Sequence, residues 1–85
     1  MERFHIMIAE ARALIKSQMV NKNNRPDYMS DKQLYAILDE LEKMDRIRNH
    51  NLFFPYYPKG IADSWEYTDP LAKQLLELSE IYRKL

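Results

Sequence analysis

The chain has no cysteine, one glycine, four prolines and no excess of either sign of charge. Without cysteine there is neither a disulfide framework nor a thiolate metal site. One glycine cannot build a phosphate-cradling loop. No apolar run approaches the roughly 18 residues of a membrane span. The opening MERFHIMIAEAR carries acids in a helical rhythm, where a signal peptide would have a basic stub and a smooth apolar stretch. These absences predict a cytoplasmic protein with no membrane partner. What is present is 85 residues, 46% hydrophobic and 31% charged, a mixture unlike that of disordered or low-complexity chains. The length makes one domain, residues 1–85, whose small core needs tight helix packing or a second copy to hold it.

Phe4, Met7, Ile8, Ala11, Leu14, Ile15 and Met19 recur at three- and four-residue steps, which predicts an amphipathic helix over 2–20. Ile6, Ala9 and Ala13 widen its apolar face and predict a second neighbour. The polar stretch NKNNRPDYM, 21–29, reads as a connection. Ser30-Asp31-Lys32-Gln33 has the form of a capping box. Leu34, Ile37, Leu38, Leu41 and Met44 then make one stripe, predicting a second helix over 31–44 with Asp45 as its left-handed end. Asp69-Pro70 signals the start of a third helix over 70–84, along which Leu71, Leu75, Leu78, Tyr82 and Leu85 recur at 4-3-4-3 spacing. The apolar surplus on the first and last helices predicts a homodimer through them.

Between the second and third helices the chain changes character. Residues 46–57 read RIRNHNLFFPYY, rich in β-formers, and Pro58-Lys59-Gly60 carries turn chemistry. Ser64-Trp65-Glu66-Tyr67-Thr68 alternates polar and aromatic. Together these predict a two-stranded hairpin within 46–68. Strand side chains alternate faces, so about half of Phe53, Phe54, Tyr56, Tyr57, Trp65 and Tyr67 are expected to pack inward and the rest to stand exposed. The fold expected from this order is an α+β winged helix, three helices plus a two-stranded hairpin wing. The alternative is a small all-α bundle with an irregular aromatic loop.

Ser30, Leu34-Tyr35, Leu38, Leu41-Glu42 and Ile47 resemble the recognition-helix segment of PadR-family winged-helix regulators, which reads roughly S-x-x-x-L-Y-x-x-L-x-x-L-E-x-x-G-L-I. Tyr67-Thr68 leading into a Leu-rich helix is similar to that family's last wing strand. The likeness covers 30–47 and, more loosely, 65–78. It departs at Asp39-Glu40, where DNA-binding relatives commonly carry Lys or Arg, and at Asp45-Arg46, which replace Gly-Leu. The resemblance implies a small DNA-binding transcriptional regulator. Lys32 and Tyr35 would meet the major groove of duplex DNA, and Arg46, Arg48 and Lys59 of the wing its backbone, supported by Lys16, Lys22 and Arg25.

The residues leave a second function open. Thirteen Lys+Arg balance thirteen Asp+Glu, although 46–60 holds three bases and no acids. Zero net charge, the acidic Asp39-Glu40 pair and an aromatic wing suit a module that binds another protein and not DNA. No serine or threonine sits in a strand–turn–helix elbow, and His5 and His50 lack metal-ligand spacing around them. The sequence therefore predicts no enzyme, no cofactor and no metal.

Overall fold

The computed structural model describes residues 2–66 and 68–85. Among them every regular element is helical: α1 (Arg3–Val20), a 3-10 turn (Lys22–Asn24), α2 (Asp31–Ile47), α3 (Tyr57–Ser64) and α4 (Pro70–Arg83). No helix among the described residues is long and apolar enough to cross a membrane.

Two of these helices open on local signals. Ser30 Oγ accepts from Gln33 N at 3.1 Å and starts α2. Asp69 Oδ1 accepts from Leu71 N at 2.8 Å and Ala72 N at 3.3 Å, with Pro70 in the first turn, and starts α4. α1 packs on α2 and on α4 and runs antiparallel to both. At one end the Phe4 ring stacks on Tyr82 and His5 meets Asp45. At the other, Lys22 and Arg25 hold Asp31 at 3.1 and 2.6 Å. The core lies between the three: Phe4, Ile8, Ala11 and Ile15 of α1, Leu34, Ile37, Leu41 and Met44 of α2, and Leu71, Leu75, Leu78 and Tyr82 of α4. Fully burying such a side chain contributes about 1.5–3 kcal/mol, so these stripes carry the stability.

The expected hairpin is not there. Residues 46–68 hold no strand among those described, and the architecture is all-α with an irregular aromatic loop, not an α+β winged helix. Tyr67, read as part of a wing strand, lies outside the described residues. The physical reasons are local. Asp45, Arg46 and Ile47 extend α2 by three residues beyond the expected end, with Arg46 Nε on Glu42 Oε1 at 3.2 Å. The left-handed residue is Arg48 (φ 54°, ψ 33°), not Asp45. Asp45 is otherwise engaged: its carboxylate takes His5 Nδ1 and Arg48 Nη2, each at 2.6 Å. Asn49 then folds the chain back, its backbone oxygen accepting from Leu52 N and Phe53 N and its side chain from Asn51 N. Pro55 and Pro58 have no N–H to give a ladder. Pro58 instead stands in the first turn of α3, where a missing donor costs nothing. The turn read at Pro58-Lys59-Gly60 is thus the start of a helix.

The clasp joining the start of α1 to the end of α2 has a pH consequence. Burial pushes the Asp45 carboxyl up, but the Arg48 guanidinium and the His5 ring together outweigh it and hold the group below the usual carboxylate range. A depressed carboxylate contributes stability above its unfolded pKa of about 4 and loses it as pH falls through the folded value. The wild-type chain is therefore expected to lose more melting temperature between pH 6 and pH 3 than Asp45→Asn does. Equal losses in the two melting curves would show that the clasp contributes no such linkage.

Candidate functional site

The loop after α2 displays three large apolar side chains close together on the outside. Leu52 is 76% exposed, Phe54 54% and Tyr56 79%. Their neighbours point the other way: Pro55 and Tyr57 are buried and Phe53 is half-buried. The inward–outward alternation expected of a strand is therefore present over 52–57 without any ladder. Trp65 is also inward, its ring 5.7 Å from Tyr28 and its Nε1 donating to Gln33 Oε1 at 2.8 Å.

Inward anchors hold this display. Tyr82 Oη donates to Phe53 O at 2.7 Å, and Lys43 Nζ lies 5.7 Å over the Phe53 ring. Tyr57 Oη donates to Leu75 O at 2.8 Å. Its hydroxyl pKa is driven up, first by burial and then by the charge of Glu40. Glu40 does more. Its two carboxylate oxygens accept from Tyr56 N at 2.9 Å and Tyr57 N at 2.8 Å, so a residue of α2 caps the start of α3. The residue in the N-cap position, Tyr56, has no side-chain cap bond of its own. Between the loop and α4 lies a recess of about 100 Å³ lined by Phe54, Pro55, Pro58, Ser79, Glu80 and Arg83. Phe54 is one wall of it.

The structure scatters the residues expected to bind DNA. Lys32, Tyr35 and Arg46 lie along the outward side of α2, but fourteen residues of helix put Lys32 about 21 Å from Arg46. Between them Asp39 pairs with Lys43 at 3.1 Å and Glu42 with Arg46 at 3.2 Å. Arg48 is committed to Glu2 and Asp45 and lies over the Phe4 ring. Lys59 sits on α3, one residue before Gly60, where an added methyl would meet the Gln33 amide. With no hairpin, nothing brings Arg46, Arg48 and Lys59 together as a wing. Tyr35 instead keeps company with α1 and the 3-10 turn. Lys16, Met19, Val20, Lys22, Asp31 and Tyr35 line an open recess of about 440 Å³ there, and Arg25 is held on Asp31.

Glu40 is the residue of this candidate site that sequence reasoning missed, since it stands there only as half of the acidic Asp39-Glu40 pair. A usable signal existed. A helix opening on Tyr-Tyr-Pro has no Ser, Thr, Asp or Asn at its start, so its free amides need an acceptor from elsewhere. Tyr82 was read as part of an apolar stripe, and its hydroxyl contact to Phe53 had no local signature. Among the described residues, no group of three or more His, Asp or Glu side chains is placed to hold a metal ion. Compared with protein-family models, with curated proteins and with solved structures, the chain finds no match.

Proposed function

We propose that this chain is a non-catalytic protein-interaction module of the cytoplasm that docks through the loop between α2 and α3. The observation carrying this reading is the exposure of Leu52, Phe54 and Tyr56 within five residues of a loop whose backbone is held from behind by Glu40 and Tyr82. Clustered large apolar side chains in water are costly to keep and mark contact surfaces. Aromatic anchors dominate the energy of protein interfaces. A display already held in place loses little freedom on docking, which raises affinity. The complementary surface is an apolar recess on another protein, deep enough for the Phe54 and Tyr56 rings.

The reading as a duplex-DNA-binding, PadR-like regulator rests on fewer features. Lys32 and Tyr35 are exposed on α2, but the same outward side carries Asp39 and Glu42 at 63% and 49% side-chain exposure, where a phosphate backbone would repel them. Exposed Ile6, Leu14 and Val20 on α1 support the reading as a homodimer from that helix only. The stripe of α4 is consumed inside the monomer, apart from Leu85 beyond its end.

One set of measurements tests the proposal. Pull-down from the cytoplasm should recover a stoichiometric partner, and sedimentation of the free chain should separate that partner from a second copy. Phe54→Ala with Tyr56→Ala should weaken the isolated complex by somewhat under a thousandfold, at roughly 2 kcal/mol for each anchor. Its melting temperature should hold, since both rings are outside the core. Tyr57, 5% exposed, is unsuited to this test because its replacement attacks the core. An unchanged dissociation constant in the double variant sinks the docking loop as the contact surface.

A further inference from the structure

We propose that the corner where α1, the 3-10 turn and the first turns of α2 meet binds single-stranded nucleic acid, separately from the docking loop. Residues 16–35 carry four bases (Lys16, Lys22, Arg25 and Lys32) against two acids (Asp27 and Asp31). The fold sets Lys16 and Lys22 around one recess with Asp31 and Tyr35, holds Arg25 on Asp31, and leaves Lys32 beside Asp31 in the first turn of α2. Asp31 is already met by Lys22 and Arg25, and those two guanidinium and ammonium groups hold its carboxyl below the usual range. Lys16 and Lys32 make no ion pair among the described residues, nor does Arg12 one turn upstream. Arg12 Nε is buried without an acceptor. Lys16 lines both the recess shared with Arg12 and the larger one shared with Lys22 and Tyr35. The cations thus form a track, and ten residues of α1 and the turn after it give it a length on the order of 15 Å, room for a few nucleotides.

An aromatic ring stands in that track. Tyr35 is 64% exposed and shares its recess with Lys16 and Lys22. Lysines along a backbone and a ring for a base are the two parts of sequence-tolerant single-strand binding. The exposed Val20, at 80%, and the half-buried Met19 add apolar surface beside the ring. A duplex fits the same corner poorly. It is stiff, so contact with Lys32 would carry it along α2 towards Asp39 and Glu42. A single strand turns away after Tyr35. The chemistry recognised is therefore a phosphodiester chain with unpaired bases.

The probe is a fluorescein-labelled twelve-residue oligodeoxythymidylate, followed by anisotropy, with its duplex on oligodeoxyadenylate as comparison. Three free cations give a salt slope near −2, so affinity should fall about a hundredfold from 20 to 200 mM salt. Tyr35→Ala should weaken binding about tenfold at fixed salt while Tyr35→Phe retains it. Lys16→Glu with Lys32→Glu should abolish it. Lys59→Glu with Arg83→Glu, on the docking-loop side, should leave it unchanged. These side chains are exposed, so circular dichroism should be the same throughout. Absence of binding at 20 mM salt overturns the proposal. So does tighter binding of the duplex, an unchanged affinity in Tyr35→Ala, or an equal loss in the Lys59 and Arg83 variant.

Discussion

Glu40→Ala is expected to destabilise the fold by about 2 kcal/mol, although Glu40 lies on no apolar stripe. Its carboxylate is the acceptor for Tyr56 N and Tyr57 N. A hydrogen bond to a charged group contributes about 1.5–3 kcal/mol, and the loss here is partly recovered because the Tyr56 amide reaches water. For a domain of this size the melting temperature should fall by roughly 8–16 °C. Glu40→Gln keeps one acceptor oxygen in place of two and should lose about half as much. Hydrogen exchange gives the local readout: the Tyr56 and Tyr57 amides should lose protection in Glu40→Ala while the amides of α1 keep theirs. The same variant should weaken docking, since the rings of Phe54 and Tyr56 would no longer be presented on a fixed backbone. Unchanged exchange at Tyr57 would show that α3 does not depend on this cap.

The contrast between Glu40 and Ser30 explains which parts of the molecule were readable beforehand. Ser30 serves Gln33, three residues away, and Asp69 serves Leu71 and Ala72. Such signals sit inside one helical turn, and the helices they open appear where expected. Glu40 serves amides sixteen and seventeen residues ahead, and no local pattern announces a contact of that span. The capping box shows the same divide. Its Ser30 half is made, but the Gln33 oxygen is taken by Trp65 Nε1, thirty-two residues on.

The hairpin failed for a related reason. β-propensity over RIRNHNLFFPYY measures how side chains fit a half-buried surface, and these do fit one: Phe53, Pro55 and Tyr57 inward, Phe54 and Tyr56 outward. What propensity omits is the backbone donor count. Two prolines within four residues, with Asn49 folding the chain into a turn, leave too few amides for a ladder. The likeness over 30–47 is carried by a capped amphipathic helix, and that helix is present; the wing that the resemblance implies is not. Of the expected DNA contacts, Lys32 and Tyr35 needed only the second helix, so their exposure on one side of it was legible. Arg46, Arg48 and Lys59 needed the hairpin, and without it Arg48 becomes the left-handed end of α2, bound to Glu2 and Asp45.

Asp69→Ala should cost more than Glu40→Ala, about 2–3 kcal/mol, because three donors lose one carboxylate. Leu71 N and Ala72 N are the helix cap, worth about 1–2 kcal/mol. The third is Tyr28 Oη, which donates to Asp69 Oδ2 at 2.5 Å and ties the connection after α1 to the start of α4. Asp69→Asn should restore the cap but not the charge-assisted bond to Tyr28. A double-mutant cycle of Tyr28→Phe with Asp69→Asn should then give a coupling on the order of 1 kcal/mol. The hydroxyl offers a second check. Its bond to the Asp69 carboxylate, followed by burial, pushes the Tyr28 pKa from 10.0 up to about 12. A raised pKa means stability fully present below the unfolded value and lost as pH climbs through the folded one. The advantage of wild type over Tyr28→Phe in urea unfolding should therefore be constant below pH 10 and vanish between pH 10 and 12. Tyr57 and Tyr82 remain in both proteins, so their own titration cancels from the difference. A gap that persisted undiminished at pH 12 would mean that the proton shared with Asp69 is not the source of the stabilisation, since the ring on Trp65 is common to both proteins.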